Sequence, residues 1–203
     1  MPPKAKYTRE EIVQEAFQMT REKGIEAVAA RELGKRLGTS SSPIFTAFKN
    51  MEELQSEVRK MAMKKFESYV SDAMNYTPVF KYVGIKIIQF AMEEPKLFQL
   101  LYMMEHSESQ KYEDLMVELG ETYDVCIQVL EKEYDLTNDE AKMLFRQVWL
   151  STFGICVLSA GKVCHFTPDE LTQMLGMEFQ GMLMLIKSGA YKTIKVDSKK
   201  TEN

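Results

Sequence analysis

The sequence predicts an all-α fold of about nine helices, and its helix-start signals are the main reason. Residues 8–11, 137–140 and 167–170 each place a threonine three positions before a glutamate, the arrangement of a capping box at a helix N-terminus. Apolar residues recur at helical spacing after these starts, and glycine or proline separates the periodic segments. No segment shows the strict alternation that is typical of a half-buried strand.

Length and composition are those of a globular protein. The chain has 203 residues, of which 45% are hydrophobic and 28% charged. No apolar run approaches the length of a membrane span, and the N-terminus lacks the apolar core of a signal peptide, so we expect a cytoplasmic protein without membrane association. Cys126, Cys156 and Cys164 are odd in number and lack C-x-x-C spacing, which indicates neither a disulfide framework nor a zinc site.

Charge is distributed unevenly along the chain. Residues 1–50 carry nine Lys or Arg and six Asp or Glu, whereas residues 51–203 carry seventeen and twenty-four. The N-terminal part is therefore the basic part, and a dimer would double its surplus of positive charge, which favours contact with phosphates. Lys4 and Lys6 form a basic arm that could touch DNA or could equally be a disordered terminus.

Helix boundaries follow from the caps and breakers. The first helix begins at the capping box of residues 8–11, with Tyr7 and Ile12 as its hydrophobic staple. Prolines restart the chain after 77 and 94, because proline suits the first turn of a helix. Beyond the first 50 residues we expect helices over 51–75, 79–93, 95–105 and 108–133, and two long final helices that end near Gly161 and Gly189.

Residues 28–54 predict two short helices joined by a tight turn. Ala30, Leu33, Gly34 and Leu37 share one helical face. Gly38 can adopt the left-handed conformation that ends a helix, and Ser40 offers an N-cap to the next one.

The second of these helices has an apolar and a small polar side. We expect Ile44, Phe45 and Phe48 to face inward, and the small residues around them to face outward. This is helix-turn-helix organisation, in which the start of the second helix meets base edges in the DNA major groove. A helical hairpin in an ordinary core remains the alternative.

These segments resemble the N-terminal domain of the tetracycline-repressor (TetR) family of transcriptional regulators. The resemblance rests on residues 31–34, 38–40, 44–48 and 52–54 and covers 8–54 closely. It implies a DNA-binding domain over 1–50, a ligand-binding and dimerisation domain over 51–190, and a polar tail over 191–203. Phe45 and Ala47 depart from the tyrosine and the histidine or other polar residue common in the family, and Met51 replaces a frequent lysine for which Lys49 is the candidate substitute.

The resemblance also assigns roles on DNA. Residues expected near base edges are Thr39, Ser41, Ser42 and Thr46. Residues expected on phosphates are Arg31, Ser40 and Lys49. The partner is double-stranded DNA with a palindromic operator, since one helix-turn-helix unit reads too few base pairs alone.

The last two helices are apolar on more faces than one core requires, and they contain helix-weakening glycines at 154, 176 and 181. Their Trp149-x-x-x-Phe153-Gly154 segment is similar to a Trp-x-x-x-His-Gly signature of the family, whose final helices form a four-helix bundle across a two-fold axis. The expected homodimer interface contains Trp149, Phe153, Leu175, Phe179 and Met182. A buried hairpin within a monomer is the alternative.

Methionines and aromatic residues are abundant in the middle of the chain. Such side chains suit an adaptable apolar pocket, although at helical spacing they are also common in a plain core. The family usually binds an inducer in this region. The expected ligand pocket contains Met63, Phe66, Phe90, Tyr102, Tyr123 and Gln147.

No catalytic constellation can be assembled. The sequence has no glycine-rich phosphate loop, no Ser-His-Asp or Cys-His pairing and only two histidines, so we expect no enzyme activity, no cofactor and no metal. The sequence therefore predicts a homodimeric repressor that a small apolar molecule releases from its operator, with helix 51–75 transmitting the change. The alternative is a helical small-molecule-binding or protein-interaction module without specific DNA function.

Overall fold

The computed structural model describes residues 7–104, 111, 116 and 119–193, and within these ranges it contains nine α-helices and no strand. The helices of the N-terminal half are α1 (Arg9–Lys23), α2 (Ala30–Arg36), α3 (Ser42–Ala47), α4 (Met51–Asp72), α5 (Val79–Glu93) and α6 (Pro95–Tyr102). The remaining helices are α7 (Glu121–Tyr134), α8 (Asn138–Ala160) and α9 (Pro168–Lys187). The all-α prediction is confirmed.

The three predicted capping boxes are present. The hydroxyls of Thr8, Thr137 and Thr167 accept hydrogen bonds from the backbone N–H three residues on, at 3.1, 3.3 and 3.3 Å. In return, each glutamate side chain accepts from the backbone N–H of its threonine. These caps satisfy amides that have no partner inside the helix and set the starts of α1, α8 and α9.

Two expected boundaries differ from the structure. The helix expected over 108–133 is interrupted at Gly120, whose φ of +53° a right-handed helix cannot continue through, and a separate helix begins at Glu121. The expected tail from 191 includes Tyr191, which is half-buried and donates a hydrogen bond to Glu140. Lys4, Lys6, residues 194–203 and most of 105–118 lie outside the described residues.

One continuous hydrophobic core connects all nine helices. Buried side chains run from Ile12 in α1 to Ile186 in α9 without a break. α1 packs on both α4 and α6, and α5 packs on α4 and α8. α8 is long and apolar enough to cross a membrane, with a mean hydropathy of 1.4 over the window tested, but it is the central core helix and packs against α5, α6, α7 and α9.

Two arginines tie the N-terminal helices to the rest of the chain. Arg21 of α1 donates through Nε (2.8 Å) and Nη2 to the two carboxylate oxygens of Glu94, which is only 6% exposed at the junction of α5 and α6. Arg59 of α4 donates to the carbonyls of Leu100 and Leu101 at 2.7 and 3.0 Å, and so satisfies the end of α6. The position of α1 therefore depends on where α5 ends.

The turn between α2 and α3 is a close backbone crossing. Gly38 takes a φ of +66°, its N–H donates to the carbonyl of Lys35, and the N–H of Thr39 donates to the carbonyl of Gly34, which is the Schellman pattern. The turn then passes directly over Gly34, where an added Cβ would lie 2.9 Å from the backbone carbon and oxygen of Ser40. Gly34 therefore fixes how closely α3 follows α2.

We predict that Gly34→Ala destabilises the fold by about 1–3 kcal/mol, because the crowding atoms belong to backbone and cannot rotate away. Chemical denaturation measures the loss. Gly38→Asn in the same turn is the control: no heavy atom of the described chain lies within 4 Å of the added Cβ, and asparagine tolerates a left-handed backbone. Equal stability of Gly34→Ala and wild type would contradict the account.

Candidate nucleic-acid interface and ligand cavity

The helix α3 is held in place by residues at the start of α1. A six-residue helix is too short to be stable on its own, so tertiary contacts must fix it. Arg9 donates from Nη1 to the carbonyl of Ala47 at 2.8 Å, and its guanidinium lies 4.1 Å from the centre of the Phe48 ring. Tyr7 donates to the carbonyl of Leu37, the residue that ends α2.

Arg9 also contacts a carboxylate of α4. Glu53 accepts from the backbone N–H of Lys49 at 2.7 Å and from Arg9 Nη2 at 2.8 Å. The Lys49 amide, and after it Arg9, lower the pKa of Glu53 because both interactions favour the ionised carboxylate. Sequence reasoning missed Arg9, since an arginine in a first helical turn has no distinctive pattern.

The outer face of α3 consists of Ser42, Phe45 and Thr46, which are exposed at i, i+3 and i+4. The hydroxyl of Thr46 donates to the carbonyl of Ser42 at 3.0 Å, and the hydroxyl of Ser40 accepts from the Ser42 N–H at 3.3 Å. Ser40 was expected to be the N-cap of this helix, and this is wrong: the N-cap is Ser41, whose side chain makes no capping hydrogen bond. Phe45 was expected to face inward, and this is wrong: Ile44 and Phe48 are buried, whereas Phe45 is 53% exposed.

Two exposed cations belong to the helix-turn-helix segment. Arg31 at the start of α2 and Lys49 after α3 are exposed and have no ion pair among the described residues. Arg36, by contrast, is bound by Glu15 and by both carboxylate oxygens of Glu22, which raise its pKa. Arg31 and Lys49 are therefore not neutralised by an ion pair as Arg36 is, and Thr39 and Ser41 in the turn are half-buried.

A cavity of about 590 Å³ lies between α5 and α9. Its apolar walls include Phe80, Ile85 and Ile88 of α5 and Leu171, Leu175 and Phe179 of α9. Polar groups from other positions complete it: Lys81, Gln89, Glu93, Glu133, Tyr134, Thr152, Thr172 and Gln180. Its size and mixed lining are those of a small-molecule site.

Two family models match the chain. The one described as bacterial regulatory proteins, tetR family, matches residues 12–58, and the one described as tetracyclin repressor-like, C-terminal domain, matches residues 80–177. The first covers the helix-turn-helix, and the second covers most of the cavity wall. The chain belongs to the tetracycline-repressor family. No curated protein matches it. Members of this family are typically non-enzymatic DNA-binding regulators, and neither model indicates an enzyme.

The cavity between α5 and α9 is lined by other residues than the six predicted for the ligand pocket. Within the described chain, none of Met63, Phe66, Phe90, Tyr102, Tyr123 and Gln147 lines it. Phe66 and Phe90 are buried in edge contact at 5.3 Å, and Tyr102 lies 5.4 Å from Phe66. Tyr123 packs on Phe145 at 4.9 Å, and Met63 and Gln147 are half-buried. Phe66, Phe90 and Tyr102 thus fill one another's space and form core at this place.

The five predicted interface residues also contact their own chain. Trp149 is buried and stacks on Phe153, while Leu175 and Phe179 line the cavity and Met182 packs on the core. On the sides of α8 and α9 that point away from these residues, apolar side chains are exposed to solvent. We call this exposed surface the outer face of α8 and α9. Its exposed apolar members are Leu150, Leu158, Met174, Met177 and Met184.

The buried thiols have no chemical role in either region. Burial raises the pKa of Cys126 to about 12 and raises that of Cys156 as well, which keeps both protonated. Among the described residues there is no group of three or more His, Cys, Asp or Glu placed to hold a metal ion.

We predict that Arg9→Ala weakens DNA binding, because Arg9 holds α3 in place although it is not part of the outer face of α3. Loss of the Ala47 carbonyl contact and of the packing over Phe48 should also cost about 1–2 kcal/mol of stability. The pKa of Glu53 should rise toward 4.5, because one of the groups that lower it is gone. NMR titration of the carboxylate measures this. Arg9→Lys is the control, since lysine keeps the charge but lacks the planar guanidinium fork. DNA binding of Arg9→Ala equal to that of the wild type would refute the role of Arg9 in positioning α3.

Proposed function

We propose that this TetR-family protein is a cytoplasmic homodimeric repressor that a small, largely apolar molecule releases from a palindromic operator. The observation that carries the DNA-binding part is the outer face of α3. It presents hydroxyl side chains on the helix that such units place in the major groove, and the exposed Arg31 and Lys49 of the same segment make no ion pair among the described residues. Phosphate contacts from these cations require binding to weaken as salt increases.

Support for the homodimer comes from the outer face of α8 and α9. Met177 and Met184 are 68% and 71% exposed, and they belong to one stripe with Met174. A Cβ added at Gly154 or Gly181 would meet no heavy atom of the described chain within 4 Å, so packing inside the subunit does not account for either glycine. Small residues between large apolar ones suit a close helix crossing with a second copy.

We predict that Met177→Glu yields a monomer with weakened binding to a palindromic site. The substituted side chain is mostly exposed in one subunit, so the charge should leave the subunit folded and act only on the interface. Sedimentation velocity at micromolar concentration reports the mass. Gln128→Glu, an exposed position on α7, adds the same charge elsewhere and should remain dimeric. A monomeric wild type would end the proposal.

Support for ligand control comes from the helix that forms the cavity wall. Glu93 of α5 lines the cavity, and the next residue, Glu94, holds Arg21 of α1. The hydroxyl of Tyr69 in α4 donates to Glu93 at 2.6 Å, and this interaction lowers the pKa of Glu93. Within the described chain α4 does not line the cavity, so we propose that α5, rather than α4 directly, carries the change to the DNA-binding helices.

We predict that an amphiphilic fluorescent probe with apolar aromatic rings, anilinonaphthalene sulfonate, binds in the cavity and that operator DNA weakens its binding. Linkage requires the probe to weaken DNA binding by the same factor. Gly176→Phe should abolish probe binding, because an aromatic side chain at this lining position fills the cavity. Gln128→Phe, at an exposed position on α7 that does not line the cavity, is the control.

A second variant tests the route between the two sites. Glu94→Gln should keep probe binding but reduce the coupling to DNA, since the Arg21 contact loses its charge. Identical probe affinities with and without DNA in the wild type would show that this cavity does not control the DNA-binding helices.

A further inference from the structure

Phe45 is the exposed apolar residue on a face that is otherwise made of hydroxyl side chains. It lies between Ser42 and Thr46 on α3, and 53% of its surface is accessible. Burying a phenylalanine completely stabilises a protein by about 1.5–3 kcal/mol, and Phe45 realises only part of that in the free subunit. A single exposed apolar residue is common on proteins, so its position decides its meaning.

The fold does not need Phe45 in order to place α3. Ile44 and Phe48 are the residues that α3 buries, and Arg9 covers the Phe48 ring. The backbone carbonyls at the end of α3 are satisfied through Arg9 and through the Phe48 N–H bonded to Ile44. These contacts leave the Phe45 ring outside the core, where it is accessible to what α3 binds.

We infer that Phe45 is a specificity residue that packs against the C5-methyl group of a thymine in the operator. This inference rests on the proposed DNA-binding role of the outer face of α3. In the major groove the thymine methyl is the apolar group on the base edges, and a phenyl ring is one of the side chains that contacts it. Phe45 has no hydrogen-bond donor for a phosphate or a base, so its ring discriminates by apolar contact.

Neighbouring side chains fit the same assignment. Ser42 and Thr46 place hydroxyls one residue or one turn from Phe45, where they can hydrogen-bond with adjacent base edges. Thr46 already donates to the Ser42 carbonyl, so its oxygen remains as an acceptor. The face thus combines one methyl contact with weak, adaptable polar contacts, and the methyl contact supplies the larger share of sequence preference.

The test begins with a sequence that the wild-type protein enriches from random double-stranded DNA. Each thymine in it is replaced singly by deoxyuridine, which pairs with adenine identically and lacks only the methyl group. We expect uracil at one thymine position in each half-site to weaken binding about fourfold, the effect of losing one buried methyl-sized group. No response at any thymine position overturns the inference.

Variants assign the methyl contact to one side chain. Phe45→Ala should bind the thymine and uracil forms of that position equally, and its thermal unfolding should match wild type because the ring is mostly exposed. Thr46→Ser removes the other methyl group of this face and should keep the fourfold difference. Loss of the difference in Thr46→Ser, or its persistence in Phe45→Ala, overturns the assignment.

The remaining outcomes are also decisive. If Phe45→Ala binds too weakly to measure, Phe45→Leu must show a reduced uracil effect, and an unchanged effect overturns the inference. Uniform weakening of Phe45→Ala on all sequences, with no uracil effect in wild type, would place the ring on the sugar-phosphate backbone and overturn it. Failure of the protein to enrich any sequence overturns the proposed function itself, whereas specific binding without a uracil effect overturns only the role of Phe45.

Discussion

The position of α3 is the constraint on which the DNA-binding region depends. Six residues cannot form a stable helix in water, so the chain supplies order from outside the helix. Ile44 and Phe48 are buried beneath it, Arg9 binds its final carbonyl, and the turn before it presses directly on Gly34. Each contact restricts a different movement: the buried pair fixes depth, the arginine fixes the C-terminal end, and the glycine fixes the distance to α2. Reading bases requires that all three hold together, because an error of about 1 Å breaks a hydrogen bond to a base edge.

α9 brings the two remaining proposed activities onto one element. Leu171, Leu175 and Phe179 on its inner side line the cavity, while Met177 and Met184 on its other side are uncovered. A ligand and a second subunit would therefore contact opposite faces of the same helix. Interior packing is close to crystalline density, so a helix of this kind moves as a rigid body rather than deforming. Occupation of the cavity would then displace both α5 and the subunit contact of α9. The effects of these two displacements on the DNA-binding helices would add if both tilt the helices in the same direction.

Local features of the sequence predicted much of the fold, whereas contacts between distant elements were less accessible. The capping threonines and the left-handed Gly38 act within a few residues, so their patterns determine the structure directly. Phe45 was misplaced because consecutive residues on a short helix differ by only 100° in direction, and apolarity alone assigned both Ile44 and Phe45 inward. The aromatic residues near Phe66 and Phe90 have the composition of a pocket, but their mutual contacts leave no space. The cavity arises from a gap between α5 and α9, which no periodicity within either helix encodes.

The adjacent residues Glu93 and Glu94 explain how a cavity distant from α3 could still control it. Glu93 faces the cavity and accepts from Tyr69 and Gln89, whereas Glu94 is buried and binds Arg21. A ligand that displaces the backbone of α5 at Glu93 also displaces Glu94, because the two residues share one planar peptide unit. A buried carboxylate has few alternative partners, so Arg21 must follow it or leave it unpaired at a high cost in free energy. In the proposed mechanism the pair would couple a displacement of α5 to a displacement of α1, and α1 carries Arg9. The size of the response is limited by the difference in ligand affinity between those positions, at about 1.4 kcal/mol for each tenfold change in DNA binding.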